Sequence, residues 1–296
     1  MRILVTGCNG QLGRELRPLL EARWPGKNIY TDIDTLNLTD GDAVRSAVTD
    51  EDITHIINCA AYTAVDRAES EPDIASAVND KAVDNIARAA SERGVKVIHV
   101  STDYVFDGES HTPYRESDKA NPLQVYGITK RRGEKTLLAM CPDAIVIRTA
   151  WLYSPHGSNF VKTMIRLGRE KKQLGVVFDQ IGTPTSATDL AAAIVAVIAA
   201  PRWLPGTYHY TDEGVASWYD FTKAIHRLWG ISGCNVTPLL TSEYPTAARR
   251  PAYTVLDKTL IKKTFGLTIP HWEESLARCI ETLKNQEKDA NGIDNN

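Results

Sequence analysis

The chain has 296 residues and a mass of 32.7 kDa, enough for one large domain or two modest ones with a self-sufficient core. Hydrophobic residues make up 43%, charged residues 24%, and the formal net charge is −3, which excludes a disordered tail, a collagen-like chain and a low-complexity array. A slightly acidic balance gives no electrostatic footprint for nucleic acid or an anionic membrane. The five cysteines are scattered with no Cys-x-x-Cys pair, as free thiols in a reducing compartment would be. No apolar run reaches the ~18–20 residues of a membrane span, and the strand-like start at Arg2 to Thr6 carries no leader pattern. The expected location is therefore cytoplasmic, with no membrane partner.

In chain order, Ile3 to Val5 reads as a strand and Gln11 to Arg23 as a helix with Leu12, Leu16, Leu19 and Leu20 on one face. Asn28 to Thr31 is a second strand. Thr39 and Asp40 are cap residues for a helix through Val48. Thr54 to Asn58 is a third strand, and Pro72 opens a long helix that stops near Gly94. Val95 to Val100 and Ala144 to Arg148 are further strands, and Ala187 to Ala200 and Ser217 to Trp229 further helices. Unbroken apolar strands joined by helical crossovers predict an α/β fold, a Rossmann-type doubly wound parallel sheet covered on both faces. The alternation loosens after about residue 150. We expect a dinucleotide-binding domain over 1–150 to which later segments return, a mainly substrate-binding cap over 151–287, and a flexible polar tail over 288–296.

Ligands of such sheets sit outside the carboxyl ends of the strands. There, Gly7, Gly10 and Gly13 follow the first strand and open a helix, with Gln11 and Leu12 in its first turn. One glycine permits the tight turn, one admits the backbone to a pyrophosphate, and one packs helix on sheet, while the helix N-terminus favours the anion. Asp32 ends the second strand, where a carboxylate accepts from adenosine ribose hydroxyls. The string alone is common; its place between strand and amphipathic helix gives it weight. Ala60 and Ala61 after the third strand are small enough for a cofactor to lie against backbone, and Asn79 is placed to tie the sheet to the loops.

The G-x-x-G-x-x-G spacing resembles the extended branch of the short-chain dehydrogenase/reductase superfamily, which directs attention to Tyr-x-x-x-Lys. Two such pairs occur, Tyr126/Lys130 and Tyr219/Lys223, each on one helix face. Tyr126 begins a helix after the loop leaving the fourth strand, which ends in Ser101 and Thr102; Tyr219 follows no such strand and reads as a surface helix. Reducing a ketone leaves an alkoxide that must be protonated. Tyr126 is the expected donor, Lys130 the charge expected to lower its pKa and a partner for the nicotinamide ribose, and Thr102 the hydroxyl that holds the carbonyl oxygen.

Longer strings are more specific: Ile57 to Asp66, Ser101 to Gly108, Tyr126 to Lys130 with Gly133-Glu134, Arg148 to Tyr153, Asn159 to Met164, Asp179 to Thr185, and Arg250-Pro251. Together they resemble the dTDP-4-dehydrorhamnose reductases, over essentially the whole chain. The resemblance implies NADH- or NADPH-dependent reduction of the C4 ketone of dTDP-4-dehydro-L-rhamnose, the last step of dTDP-L-rhamnose synthesis. It implies cofactor contacts at Gly10, Gln11, Leu12, Asp32, Asn37, Leu38, Ala61, Tyr62 and Thr63, and substrate contacts at Asp103 and Trp151. Arg250 would suit a diphosphate as a bidentate partner. The implied partner is a dTDP-sugar, not nucleic acid; a homodimer stays open. Some members bind Mg²⁺ through acidic groups. Glu15 is present, but Thr188, followed by Asp189, stands where the later acid is expected, so no metal site is assigned. Tyr62 stands where many relatives carry His. The rival readings are another dTDP-deoxysugar 4-ketoreductase, a sugar-nucleotide epimerase or dehydratase, and a non-catalytic reductase-like regulatory subunit.

Overall fold

A computed structural model describes residues 1–293. Its centre is a six-stranded parallel sheet. Five of the strands are β1 (Ile3–Thr6), β2 (Asn28–Thr31), β3 (His55–Asn58), β4 (Lys96–Thr102) and β5 (Ile145–Thr149). The sixth, Gly206–His209, returns from the second half of the chain and pairs with β5. The spatial order runs from Gly206–His209 through β5, β4, β3 and β1 to β2. The chain thus leaves β1 for one edge at β2 and then crosses back to β3. The crevice between the carboxyl ends of β1 and β3 is the switch point where such sheets take ligands.

Both faces of the sheet are covered, which is why its inner strands carry buried apolar runs such as Ile3 to Val5, Ile56-Ile57 and Ile145 to Ile147. Helices α1 (Gln11–Arg23) and α8 (Ala187–Ala199) cover one face, burying Leu12, Leu16, Leu20, Leu190 and Ile194 against Ile3, Val5, Ile145 and Ile147. On the other lie α2 (Gly41–Asp50), capped by the Asp40 carboxylate, and α5 (Ala82–Arg93), stopped by Gly94 in the left-handed conformation. They are joined there by α6 (Val125–Met140). A single helix from Pro72 to Gly94 is not formed. Short helices α3 (Val65–Ser70) and α4 (Pro72–Ser76) lead into a π-helical turn over Ala77–Lys81 before α5. That turn carries the fully buried Asn79, whose Oδ1 accepts from the Tyr62 N–H at 2.9 Å and whose Nδ2 donates to the Tyr62 carbonyl and the Thr129 hydroxyl. Widened turns of this kind recur at functional sites.

The second half builds its own apolar cluster from α7 (Phe160–Glu170), α9 (Trp218–Trp229) and α11 (Trp272–Ile293), while α10 (Thr259–Phe265) packs Ile261 into the sheet's core. Helix α11 runs on through Ile293 where a polar tail was expected from 288; residues 294–296 lie outside the described residues. Between α6 and β5 the buried Glu134 takes two bonds from Arg148, Nε at 2.9 Å and Nη2 at 2.8 Å, and a third from Arg131 at 2.6 Å. Burial works against the Glu134 charge, but Arg148, helped by Arg131, outweighs it and holds the carboxyl below its usual range.

Candidate active site at the carboxyl edge of the sheet

Two grooves meet over the glycine loop. The first, about 300 Å³, runs past Gly7, Gly10, Asp32, Leu36, Asn37, Leu38, Ala60 and Ala61. Gly7 has φ +67°, and a Cβ there would stand 2.7 Å from the Ala60 nitrogen; one on Gly13 would stand 2.5 Å from the Cys8 Cα. Gly7 therefore lets the loops after β1 and β3 touch, and Gly13 seats α1 on the sheet. Gly10 is the N-cap of α1 and supplies no side-chain cap, and the first turn holds no acid. The N–H groups of that first turn, beside the groove, have no intrahelical partner. The Asp32 carboxylate accepts from the Asn9 N–H at 2.8 Å and the Ile33 N–H at 2.9 Å. It clamps the glycine loop as well as ending β2. The Asn37 side chain accepts from Thr39, and the Leu38 carbonyl accepts from Asn85, which fixes the groove's far wall. An open N-terminus, a carboxylate just after β2 and the small Gly7, Gly10, Ala60 and Ala61 along the wall suit a dinucleotide.

The second cavity, about 460 Å³, is shared by both halves of the chain: Gln11, Leu12, Thr63, Thr102, Asp103, Tyr104, Tyr126, Lys130, Trp151, Asn159, Phe160 and Trp218 all reach it. Thr102 comes from the end of β4, Tyr126 and Lys130 from successive turns of α6. The Thr102 hydroxyl donates to Asp103 Oδ1 at 2.9 Å and accepts from the Tyr104 N–H at 3.2 Å, and the Tyr126 phenol lines the same cavity. Asp103 is buried with Oδ2 unpartnered among the described residues, and burial pushes its pKa up to about 6. The Tyr126 ring is edge-on to Tyr104 at 5.6 Å. Burial raises the Tyr126 pKa, with the Thr102 hydroxyl working against the rise. The sequence expectation that Lys130 lowers it is not met here. The Lys130 amine donates instead to the Val100 carbonyl at 2.7 Å, and burial pushes its own pKa down to about 8 against the pull of Glu134.

The opposite wall is aromatic. Trp151 sits at φ +48°, an uncommon conformation for a bulky residue, and stacks on Trp218 with ring centroids 3.5 Å apart and planes 7° from parallel. Phe160 leans on Trp218 at 4.5 Å. Sequence reasoning missed Trp218. Its signal was the Ser217/Asp220 capping box, which fixes it as the first residue of α9 and aims that helix start at the cavity.

Two residues singled out from the sequence do not line either groove. Tyr62 turns its hydroxyl to Glu71, and Arg250 pairs with Asp66 at 2.5 Å while its guanidinium lies beside Tyr104. Arg250 Nη1 is buried without a hydrogen-bond partner among the described residues. Tyr219 is half-buried in the second-half cluster and Lys223 is exposed, away from the cavity. For Mg²⁺ the donor set does not fit: Glu15 accepts from Ser154 at 2.8 Å, and both oxygens of Asp189 are taken by Arg278 at 2.8 Å.

A model of the RmlD substrate binding domain matches residues 1–285. The dTDP-4-dehydrorhamnose reductase of Aggregatibacter actinomycetemcomitans is 41% identical over 286 residues, covering 93% of this chain and 97% of the relative. The chain belongs to the dTDP-4-dehydrorhamnose reductase family. A solved family member from Clostridium acetobutylicum superposes with a TM-score of 0.92 at 44% identity, covering 96% of this chain and all of that one. Another, from Bacillus anthracis in complex with NADP, gives a TM-score of 0.91 at 38% identity over 95% of this chain and 99% of that one. Among the described residues no helix is long and apolar enough to cross a membrane.

Proposed function

We propose that this chain reduces the C4 ketone of dTDP-4-dehydro-L-rhamnose to dTDP-L-rhamnose, using NADH or NADPH. The observation that carries the reading is the meeting of Thr102, Tyr126 and Lys130 in a cavity continuous with the glycine-loop groove. The free N–H groups of α1 at Gln11 and Leu12 would hold the diphosphate of the cofactor, Asp32 its adenosine ribose, and Lys130 its nicotinamide ribose. Gly7, Gly13, Ala60 and Ala61 keep the path open, with Asn37, Leu38 and Thr63 beside it, while Tyr62 is turned away to Glu71. When bound, the nicotinamide supplies a hydride.

The rest is done by side chains. The Thr102 and Tyr126 hydroxyls line the same cavity and would hold the ketone oxygen between them once the Thr102 proton turns from Asp103 to the substrate. A buried, neutral phenol keeps its proton until an alkoxide of higher basicity forms beside it, so Tyr126 delivers that proton at the transition state and not before. Asp103 positions the Thr102 hydroxyl. Trp151, Trp218 and Phe160 present flat apolar faces to a deoxysugar and exclude water. Arg250, paired with Asp66 and lining neither groove, reaches a phosphate oxygen of the dTDP handle only by a rearrangement on binding that exposes its Nη1. We read 1–150 as the cofactor half and 151–287 as mainly the substrate half. All five cysteines are free, which supports a cytoplasmic location.

The test is a panel of dTDP-4-ketohexoses with NADH, followed by absorbance and product NMR. The reading expects one NADH consumed per ketone and a C4 alcohol. NAD retained through purification with no net consumption would support an epimerase or dehydratase instead.

A further inference from the structure

Behind Lys130 runs a buried chain of polar groups from β1 to β4. Asn58 Oδ1 accepts two bonds, from the Ala60 N–H at 3.1 Å and the Thr6 hydroxyl at 2.7 Å. A backbone amide only donates, so this atom is the oxygen and the side chain's orientation is fixed. Asn58 Nδ2 then donates to His99 Nδ1, 3.0 Å away. A ring nitrogen that accepts carries no proton. His99 is fully buried, and burial, with the charge of Lys130 added, pushes its pKa well below the ordinary value; the ring is neutral. A neutral ring with a bare Nδ1 holds its proton on Nε2. His99 Nε2 lies 3.4 Å from Lys130 Nζ.

An ammonium has three donors and no acceptor. One of them is used on the Val100 carbonyl. Against His99 the ammonium sets donor on donor, whereas the uncharged amine accepts the Nε2–H. We propose that His99 is a positioning residue for Lys130, locked by Thr6 and Asn58 in the Nε2–H tautomer so that it favours the uncharged amine and eases the release of a proton from Nζ. The other titratable groups facing Nζ do not give this bias. Glu134, one turn on in α6, favours the ammonium, though its oxygens are already taken by Arg148 and Arg131; the Cys59 thiol is pushed by burial up to about 12 and stays neutral. Tyr126, on the same helix face, is neutral as well.

The role follows from the reduction proposed above, on which it rests. Each turnover takes one proton from Tyr126 to the sugar oxygen, and the phenolate must regain one. An Nζ–H that leaves easily supplies it from within the same cavity, and the bare amine then accepts the His99 Nε2–H until solvent returns a proton.

Two measurements test this. In the ¹⁵N-histidine-labelled whole chain without cofactor, the ring of His99 should show a directly bonded proton on Nε2 and none on Nδ1 from pH 6 to 9. A proton on Nδ1, or a doubly protonated ring, overturns the proposal, whatever the enzyme's activity. His99→Asn keeps an acceptor for Asn58 Nδ2 but has nothing that reaches Nζ. With the donor gone, the limb of the kcat pH profile that reports Lys130 should move up by about one pH unit, a tenfold change in acidity. An unmoved limb also overturns the proposal. Should His99→Asn fail to fold, the wild-type ring measurement still decides. Absence of turnover in the wild type would instead count against the reductase reading, and the ring measurement stands apart from it.

Discussion

Asp32 carries two loads that one substitution separates. Its carboxylate accepts from the Asn9 N–H of the glycine loop and from the neighbouring Ile33 N–H, and it stands at the end of β2 where the adenosine ribose would lie. Asp32→Ala removes both. The two N–H groups are at the surface and turn to water, so losing the clamp costs under ~1 kcal/mol each and weakens NADH and NADPH alike. The ribose contact is different. A charged acceptor to a free 2′-hydroxyl is worth about 1.5–3 kcal/mol, and the same charge repels a 2′-phosphate. At about 1.4 kcal/mol per decade, the ratio of kcat/KM for NADPH over NADH should rise roughly 10- to 100-fold in the variant. The clamp loss cancels from that ratio and shows as a common fall in both. Initial rates with each cofactor at fixed keto-sugar nucleotide give the numbers. Wild type should use NADH at least as well as NADPH. A ratio unchanged by Asp32→Ala, with both values lowered together, would show that Asp32 is only a loop clamp.

Trp218→Ala removes one plate of the Trp151/Trp218 stack, worth about 0.5–1.5 kcal/mol beyond its buried area, and opens the wall. The KM for the sugar nucleotide should rise about tenfold while the affinity for NADH, measured by titration, holds. Free dTDP should compete with substrate in the wild type where free rhamnose does not, and Arg250→Ala should weaken dTDP inhibition and raise KM more than it lowers kcat; equal inhibition of both proteins removes Arg250 from the site. Asp212 is buried with Oδ1 unpartnered among the described residues, and burial pushes its pKa up to about 8. The native state thus holds a proton that the unfolded chain gives up near pH 4. That contribution is full below the unfolded pKa and is lost as pH rises towards 8. Asp212→Asn keeps an acceptor for the Ser186 N–H and should flatten the fall in denaturation midpoint between pH 5 and 8; a fall as steep as the wild type's would be wrong for this account.

The central strands were legible because a sheet covered on both faces demands continuous apolar runs, as in Ile56-Ile57 and Ile145 to Ile147. The glycine loop was legible because Gly7 and Gly13 answer local demands of turn and packing. Features set by distant partners were not. The π turn at Ala77–Lys81 exists because Asn79 must meet the Tyr62 backbone, a contact between residues 17 apart in sequence. Trp218 reaches the cavity because α9 is docked against α7, and its partner Trp151 lies far earlier in the chain. The pairing of Arg250 with Asp66 spans 184 positions. Lys130 was found from its spacing to Tyr126, but its partners Val100 and His99 lie on β4, and burial, which no local pattern reports, reverses the expected direction of the Tyr126 shift.

The most direct test of the account is Tyr126→Phe. The ring keeps its packing against Tyr104, and only the hydroxyl beside Thr102 is lost. General acid catalysis contributes about 10²- to 10⁴-fold, so kcat for reduction of dTDP-4-dehydro-L-rhamnose should fall at least ~100-fold while NADH binding, followed by fluorescence titration, is retained. Tyr219→Phe, measured beside it, should turn over like the wild type. Turnover by Tyr126→Phe within a few-fold of the wild type would contradict the account.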